Sequence, residues 1–246
     1  MATNKRWKQA QVYEQSFWQH ASERIAKDDR EQLSWYKWRA ERLEKLLKTA
    51  FPESPPTFSS AKVLEIGSGP IGVVSFFEAA ERYAIDPLCD YYSTRPALVK
   101  LRNDNVTYKK GKGEELPFDD ASCNLVIIEN VIDHVQNADD VMKEIHRALE
   151  PDGILYLTVN LHPAWGAFLH SILSNLRIDR GHPHTFTITG IRNFLTRNGF
   201  KIIYNEWENY KECRNNDMKS ASIVNKVKAI SGLSEYLYTC ISLKSS

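Results

Sequence analysis

VLEIGSGPIG, residues 63–72, sets a strand, a tight glycine turn and a helix start next to one another. Val63, Leu64 and Ile66 form the short apolar run of a buried parallel strand. Gly67, Gly69 and Gly72 follow at once. Glycines there let the chain turn sharply and bring bare backbone N–H groups against a ligand. Asp86, in YAIDP, ends the next apolar run. It stands about 20 residues after the turn begins, where a carboxylate grips ribose hydroxyls. The stretch predicts a nucleoside-bearing cofactor.

The spacing Gly67-x-Gly69-x-x-Gly72 followed by Asp86 also satisfies the dinucleotide fingerprint. Glu65 is the first discriminator. A carboxylate two residues before the turn repels a pyrophosphate, and it suits a ligand carrying an ammonium and a sulfonium. That favours S-adenosylmethionine over NAD.

Downstream, KGEELPFDDASCNLVIIENVIDHV (residues 112–135) is followed by MKEIHRALEPDGILYLTVN (residues 142–160). With the glycine turn and Asp86, these segments resemble the class I S-adenosylmethionine-dependent methyltransferases of the small-molecule type. That family carries, in this order, a glycine strand-turn, an acidic ribose ligand, an LPF turn, a strand, a helix ending in E-x-x-R-x-L-x-P-x-G, and a further strand. Here the LPF turn is residues 116–118, and the helix ending runs from Glu144 to Gly153. The resemblance covers residues 60–210. It implies an α/β fold: a Rossmann-like, seven-stranded, mostly parallel sheet with helices on both faces.

Composition fits a compact enzyme of this kind. The chain has 246 residues and a formal net charge of +1, which gives no global electrostatic case for nucleic acid. Cys89, Cys123, Cys213 and Cys240 are far apart and form no C-x-x-C pair, so they read as thiols of a reducing compartment. The N-terminus is polar, and no run approaches the ~20 apolar residues of a membrane span. The expectation is a cytoplasmic protein with no membrane and no nucleic-acid partner; the oligomeric state is open.

The chain divides into an N-terminal helical cap or lid (1–58) and a methyltransferase domain (59–246) with an acceptor-site insertion at about 161–188. Within the cap, Phe17, Trp18, Trp35, Tyr36 and Trp38 suit core packing, a lid across the site, or an interface. PESPPTFSS (52–60) breaks the helix as a linker. In the insertion, Trp165, Phe168 and Leu169 suit either a helix over an apolar acceptor pocket or core packing. Further helices are expected at 189–198, capped by Gly199, and at 222–230, with strands from Phe200 and near 238–243.

The resemblance places the cofactor roles. Gly67, Ser68 and Gly69 lie against the methionine portion and ribose. Glu65 holds the amino end, or else bonds backbone N–H groups as a strand-end carboxylate. Asp86, followed by Pro87, accepts from the ribose hydroxyls, or serves as an Asp-Pro turn residue. Gly113, Glu114 and Glu115 meet the adenine edge. Asn130 and Val131 stand at the crevice mouth after the fourth strand. Two positions depart from the family: Lys112 stands where relatives often carry an aspartate, and Asn124 where they read F-D-L-V.

Methyl transfer from a sulfonium needs mainly alignment, and a base only for a poorly acidic acceptor. His134, His182 and His184 are the candidate catalytic residues, with a structural role as the alternative for His134. His182 and His184 with Asp179 or His162 offer ligands for a metal, but their spacing is nonspecific and no metal is expected. The expected function is transfer of a methyl group to an O, N or C atom of a small-molecule acceptor. The alternatives are a catalytically silent cofactor-binding homologue acting as a scaffold and, less favoured for want of a Y-x-x-x-K set, an NAD(P)-dependent oxidoreductase.

Overall fold

A computed structural model describes residues 4–175 and 183–245. Two long helices open the chain, α1 (Asn4–Ile25) and α2 (Arg30–Ala50). On α2, Tyr36, Ala40, Leu43 and Leu47 recur at three- and four-residue spacings and are buried, so one stripe of the helix packs against the core. The linker then delivers β1 (Lys62–Ile66), an interior strand of the sheet.

The expected helix after the glycine turn is replaced by a single 3₁₀ turn, Val73–Phe76. Gly72 enters it at φ 81°, outside helical space, and the turn ends at Phe77 in extended backbone. The chain continues through β2 (Glu81–Asp86), the short helices α3 (Cys89–Ser93) and α4 (Pro96–Val99), β3 (Thr107–Lys110) and β4 (Cys123–Glu129). Next come α5 (Ala138–Ala148), β5 (Leu149–Leu161), α6 (Ala164–Asn175), α7 (Ile188–Arg197) and β6 (Phe200–Trp207). The chain closes with α8 (Tyr210–Lys219), α9 (Ile223–Ser231) and β7 (Tyr236–Lys244).

The seven strands lie in the order β3-β2-β1-β4-β5-β7-β6. All pairings from β3 to β5 are parallel, and β7 runs antiparallel to both of its neighbours. Successive residues face opposite layers: Leu64 and Ile66 join the core under α5 and α7, while Val63 joins the core under α2. Both faces are therefore buried, which is why β1 and β4 read as mainly apolar runs.

Capping explains the helix positions. Asn137 accepts from the Asp139 N–H at the start of α5, and Asp139 and Asp140 in its first turn complement the helix dipole. Thr187 accepts from Gly190 N–H at the start of α7, and Gly199 takes φ 81° beyond its end. The two family-like motifs prove to be one device. Glu144 accepts from the Leu116 N–H at 2.8 Å, while Arg147 donates to the Phe118 and Leu116 carbonyls at 2.8 and 3.1 Å. The E-x-x-R of α5 thus clamps the LPF turn, which fixes the chain leading into β4. Asn124 has its own role there: it accepts from Lys62 N–H and donates to Glu150, tying β4 to its neighbours without a charge.

Candidate active site

The carboxyl ends of β1, β2 and β4 open onto a cleft of about 210 Å³, where open α/β sheets place their ligands. Its floor is Gly67, Ser68 and Gly69 after β1, Asp86 and Pro87 after β2, Gly113 and Glu114 after β3, and Asn130 and Val131 after β4. Its roof is the cap. Trp7, Ala10, Gln11, Glu14 and Trp18 line it from one face of α1, and Trp35, Tyr36 and Arg39 from α2.

The glycines are required by shape. Gly67 sits at φ 69°, and a Cβ there would lie 2.3 Å from Val131 Cγ2. Gly69 sits at φ 62°, and a Cβ would come within 3.3 Å of both Trp18 and the Tyr36 hydroxyl. The loop is pinned from beneath: the N–H groups of Gly67 and Ser68 donate to Ile85 O, and that of Gly69 donates to Asp86 Oδ2 at 2.9 Å. Asp86 Oδ1 accepts from Leu88 N–H at 2.7 Å. Each carboxylate oxygen thus keeps one lone pair for a ligand. Burial pushes the Asp86 carboxyl up to about 6, against the pull of those two N–H groups.

Glu65 lies elsewhere than the ammonium-binding assignment requires. It is buried beneath the loop, outside the cleft lining, and accepts from Val74 N–H at 2.9 Å. Its strand position directs it toward the 3₁₀ turn, so it acts as the strand-end carboxylate of the alternative assignment. Burial raises its carboxyl to about 7, opposed by the Arg39 charge and the turn's N–H groups. This placement still separates the two nucleotide readings. The loop N–H groups of Gly67, Ser68, Gly69 and Val74 are engaged within the protein, and a four-residue turn offers little dipole to a pyrophosphate.

Two lining residues carry no local motif. Arg39 of α2 is ion-paired with Glu129, the last residue of β4, and its guanidinium lies 4.2 Å from the Trp35 ring centroid and 5.3 Å from that of Tyr36. Glu129 is a buried carboxylate at the end of an otherwise apolar strand, the one sequence signal that marks it. Beyond it Asn130 takes φ 52° and turns the chain across the cleft.

The other expected residues divide. Glu114 lines the cleft, and its Oε1 accepts from the Gln136 and Asn137 N–H groups at the start of α5. Glu115 lies in the neighbouring groove with Trp7 and Lys8. Lys112 stacks its ammonium 4.3 Å from the Trp7 ring centroid, so its departure from the family pattern serves the cap. His134 lines the cleft, 3.6 Å from Asp133 Oδ2. His184 does not line it: its Nε2 donates to Val135 O at 2.9 Å and its N–H to Asp133 O, which brace the loop after β4 from behind. Desolvation lowers its pKa. His182 lies outside the described residues. His162 and His170 stack at 4.8 Å, buried outside the cleft. Trp165 and Phe168 neither cover the cleft nor pack in the core; both are exposed. In the cap, Trp18 and Tyr36 are buried against the loop while Phe17 and Trp38 face outward. No cluster of three metal-ligating side chains occurs among the described residues.

A parallel sheet with an antiparallel β7, a glycine cradle after β1 and a carboxylate ending β2 define the class I S-adenosylmethionine-dependent methyltransferase fold. The methyltransferase domain family model matches residues 35–205, and the chain belongs to that family. Among curated proteins it is similar to the ubiquinone/menaquinone biosynthesis C-methyltransferase UbiE of Rubrivivax gelatinosus, 24% identical over 169 residues, 64% of this chain and 66% of the relative. The UbiE of Bartonella quintana is 24% identical over 170 residues, 62% of this chain and 65% of the relative. The chain thus spans just under two thirds of the length of these relatives. Among solved structures, the geranyl diphosphate C-methyltransferase of Streptomyces coelicolor A3(2), in complex with Mg2+, geranyl diphosphate and S-adenosyl-L-homocysteine, superposes with TM-score 0.60. It is 11% identical, over 83% of this chain and 79% of that one. YcgJ of Bacillus subtilis superposes with TM-score 0.55 at 17% identity, over 82% and 97%. Both likenesses concern the fold.

Proposed function

We propose that the chain is an S-adenosylmethionine-dependent methyltransferase acting on a small-molecule acceptor. The observation that carries this reading is Asp86: a buried carboxylate ending β2, anchored by Gly69 and Leu88 N–H groups, with acceptor capacity left on each oxygen. Two ribose hydroxyls are the donors that such a group suits. Gly67 and Gly69 leave room where any side chain would collide. Pro87, Gly113 and Glu114 border the adenine end. The Arg39–Glu129 pair takes the place first given to Glu65. A guanidinium from the roof beside a carboxylate from the floor matches the carboxylate and ammonium of an amino-acid zwitterion.

When bound, S-adenosylmethionine supplies a methyl group already activated by its sulfonium. The protein then has to align, exclude water and manage one proton. The aromatic roof of Trp18, Trp35 and Tyr36 excludes water, and the rigid loop provides alignment, which by itself supplies several kcal/mol. Among the described residues of the expected set, His134 lines the cleft, and it serves as base where the acceptor holds its proton tightly. In this reading the cap helices α1 and α2 are the roof.

Calorimetric titration with S-adenosylhomocysteine and with NADH tests the reading. Micromolar binding of the former, lost in Asp86→Ala, supports it. Binding of NADH alone makes the chain an oxidoreductase. Binding of neither by folded protein leaves a silent homologue.

A further inference from the structure

Helix α9 is amphipathic the wrong way round for a helix packed on a protein. Its apolar residues face solvent: Ile223 is 77% exposed and Ile230 70%, with Val224 and Val227 also exposed, while Ala229 is the residue it buries. At about 100° per residue, Ile223, Val227 and Ile230 share one stripe that Val224 widens. Lys226 borders that stripe on one edge and Lys228 on the other.

A second apolar stripe adjoins it. Helix α6 contains no Asp, Glu, Lys or Arg and exposes Trp165 (61%), Phe168 (60%) and Ile172. The two helices meet end to side: Trp165 Nε1 donates to Ser231 O at 3.2 Å, and a Cβ on Gly166 would lie 2.5 Å from Gly232 O. Large apolar side chains exposed on two adjoining helices mark an interaction site.

Charge names the occupant. Between residues 210 and 231, Lys211, Arg214, Lys219, Lys226 and Lys228 outnumber Glu212 and Asp217, in a chain whose formal net charge is only +1; Lys228 is ion-paired with Glu235 at 3.3 Å, which leaves Lys226 as the lysine at the stripe's edge that faces a headgroup. A second copy docking here would set two cationic hairpins against each other. An anionic bilayer complements them, with the Lys226 stem lying along the apolar stripe and its ammonium at the headgroups.

We propose that the α6–α9 face docks the protein on an anionic lipid bilayer, with the apolar stripes of both helices entering the headgroup boundary. No described helix is long and apolar enough to cross a membrane, and surface docking requires none. Topology gives the docking a purpose. Leu161, where β5 leads to α6, pairs with Tyr236, where β7 begins after α9. That edge of the sheet is the one onto which the Gly67, Asp86 and Glu129 ends of β1, β2 and β4 open. The docked face and the cleft therefore lie at the same edge of the sheet, which brings an acceptor dissolved in the bilayer to the end of the molecule that holds the cleft.

The test is vesicle flotation with the full chain and no methyl donor, so that its outcome is separate from that of the methyl-transfer reading. Vesicles of phosphatidylcholine alone are compared with vesicles in which about one lipid in three is phosphatidylglycerol. The wild type is expected to float with the anionic vesicles and to be released by salt. Ile223→Ser with Ile230→Ser should weaken that binding at least about tenfold, and Lys226→Glu should weaken it for anionic vesicles. All three residues are exposed, and unchanged urea unfolding confirms that the variants fold. Wild-type protein that floats with neither vesicle overturns the proposal, as does a double variant that floats like the wild type. A wild-type dimer in sedimentation that the double variant renders monomeric also overturns it, by assigning the face to a second copy.

Discussion

Arg39, in the second helix of the cap, is ion-paired with Glu129, the carboxylate that ends the central strand β4. The two are 90 residues apart in sequence and both line the cleft. The pair therefore joins roof to floor at the point where a ligand's charged end would sit. Both side chains are largely withdrawn from water, so removing one leaves the other buried and uncompensated.

Arg39→Met and Glu129→Gln should accordingly each destabilise the fold by about 3 kcal/mol, with the double variant costing well under the sum. Urea unfolding of the four proteins in a double-mutant cycle measures this. Additive costs would show that the contact is not an energetic pair. Binding of S-adenosylhomocysteine should fall in both single variants.

Glu65 gives a pH dependence of opposite sign to a salt-bridged carboxylate. Burial raises its folded pKa to about 7 from an ordinary 4.5. Between these values the folded state holds a proton that the unfolded state has released. The contribution is therefore fully present below about pH 4.5 and is lost as pH rises through 7. Glu65→Gln keeps an acceptor for Val74 N–H and carries no charge. It should match the wild type at pH 4.5 and exceed it at pH 8 by up to about 3.5 kcal/mol, the limit set by 1.4 kcal/mol per pH unit between 4.5 and 7. Urea midpoints at the two pH values decide it. Equal stability at both would mean that Glu65 ionises without penalty.

The same residue shows what was legible in the sequence and what was not. The carboxylate ahead of the glycine turn is legible, but its part in the fold, which is to accept from the 3₁₀ turn's Val74 N–H from below, is not. Strands β1, β2, β4 and β5 show as apolar runs because the sheet buries them on both faces. The edge strand β3, TYKK, has no such run, and α8 buries none of its side chains, so no periodicity betrays either. The helix expected after Gly72 fails because that glycine enters the turn at φ 81° and the segment closes in four residues. Within the site, the glycines and Asp86 are legible because their geometry is local. Arg39 and Glu129 are not, because only the fold brings residues of α2 and β4 together.

Asp86 should make cofactor binding pH-dependent in the acid range. Its carboxyl, pushed up to about 6 by burial, accepts ribose donors only when ionised. Affinity for S-adenosylhomocysteine should hold above pH 7 and weaken as pH falls through 6, approaching tenfold per pH unit below it. Calorimetry near pH 6, in two buffers of different ionisation enthalpy, should detect proton release on binding. Asp86→Asn should bind about 10- to 100-fold more weakly and lose the acid limb, since a charge-assisted bond is replaced by a neutral one. An unchanged acid limb in that variant would place the titrating group elsewhere.

Gly67 tests whether the cradle is shaped by the ligand or by the fold. Its φ of 69° disfavours any side chain, and an added Cβ would lie 2.3 Å from Val131 Cγ2, a residue of the cleft wall. Gly67→Ala should therefore destabilise the fold by about 2 kcal/mol, from left-handed backbone strain and displacement of Val131 together. Gly111 provides the contrast, because a Cβ there would meet only the Ile85 side chain, 3.6 Å away, at ordinary contact distance. Gly111→Ala should change stability by no more than about 0.5 kcal/mol. Adding Val131→Ala to Gly67→Ala removes the collision and leaves the backbone strain. The double variant should recover part of the collision cost while S-adenosylhomocysteine binding remains impaired. Full recovery of both would show that the glycine's conformation is unimportant and that its lack of a side chain is the whole requirement.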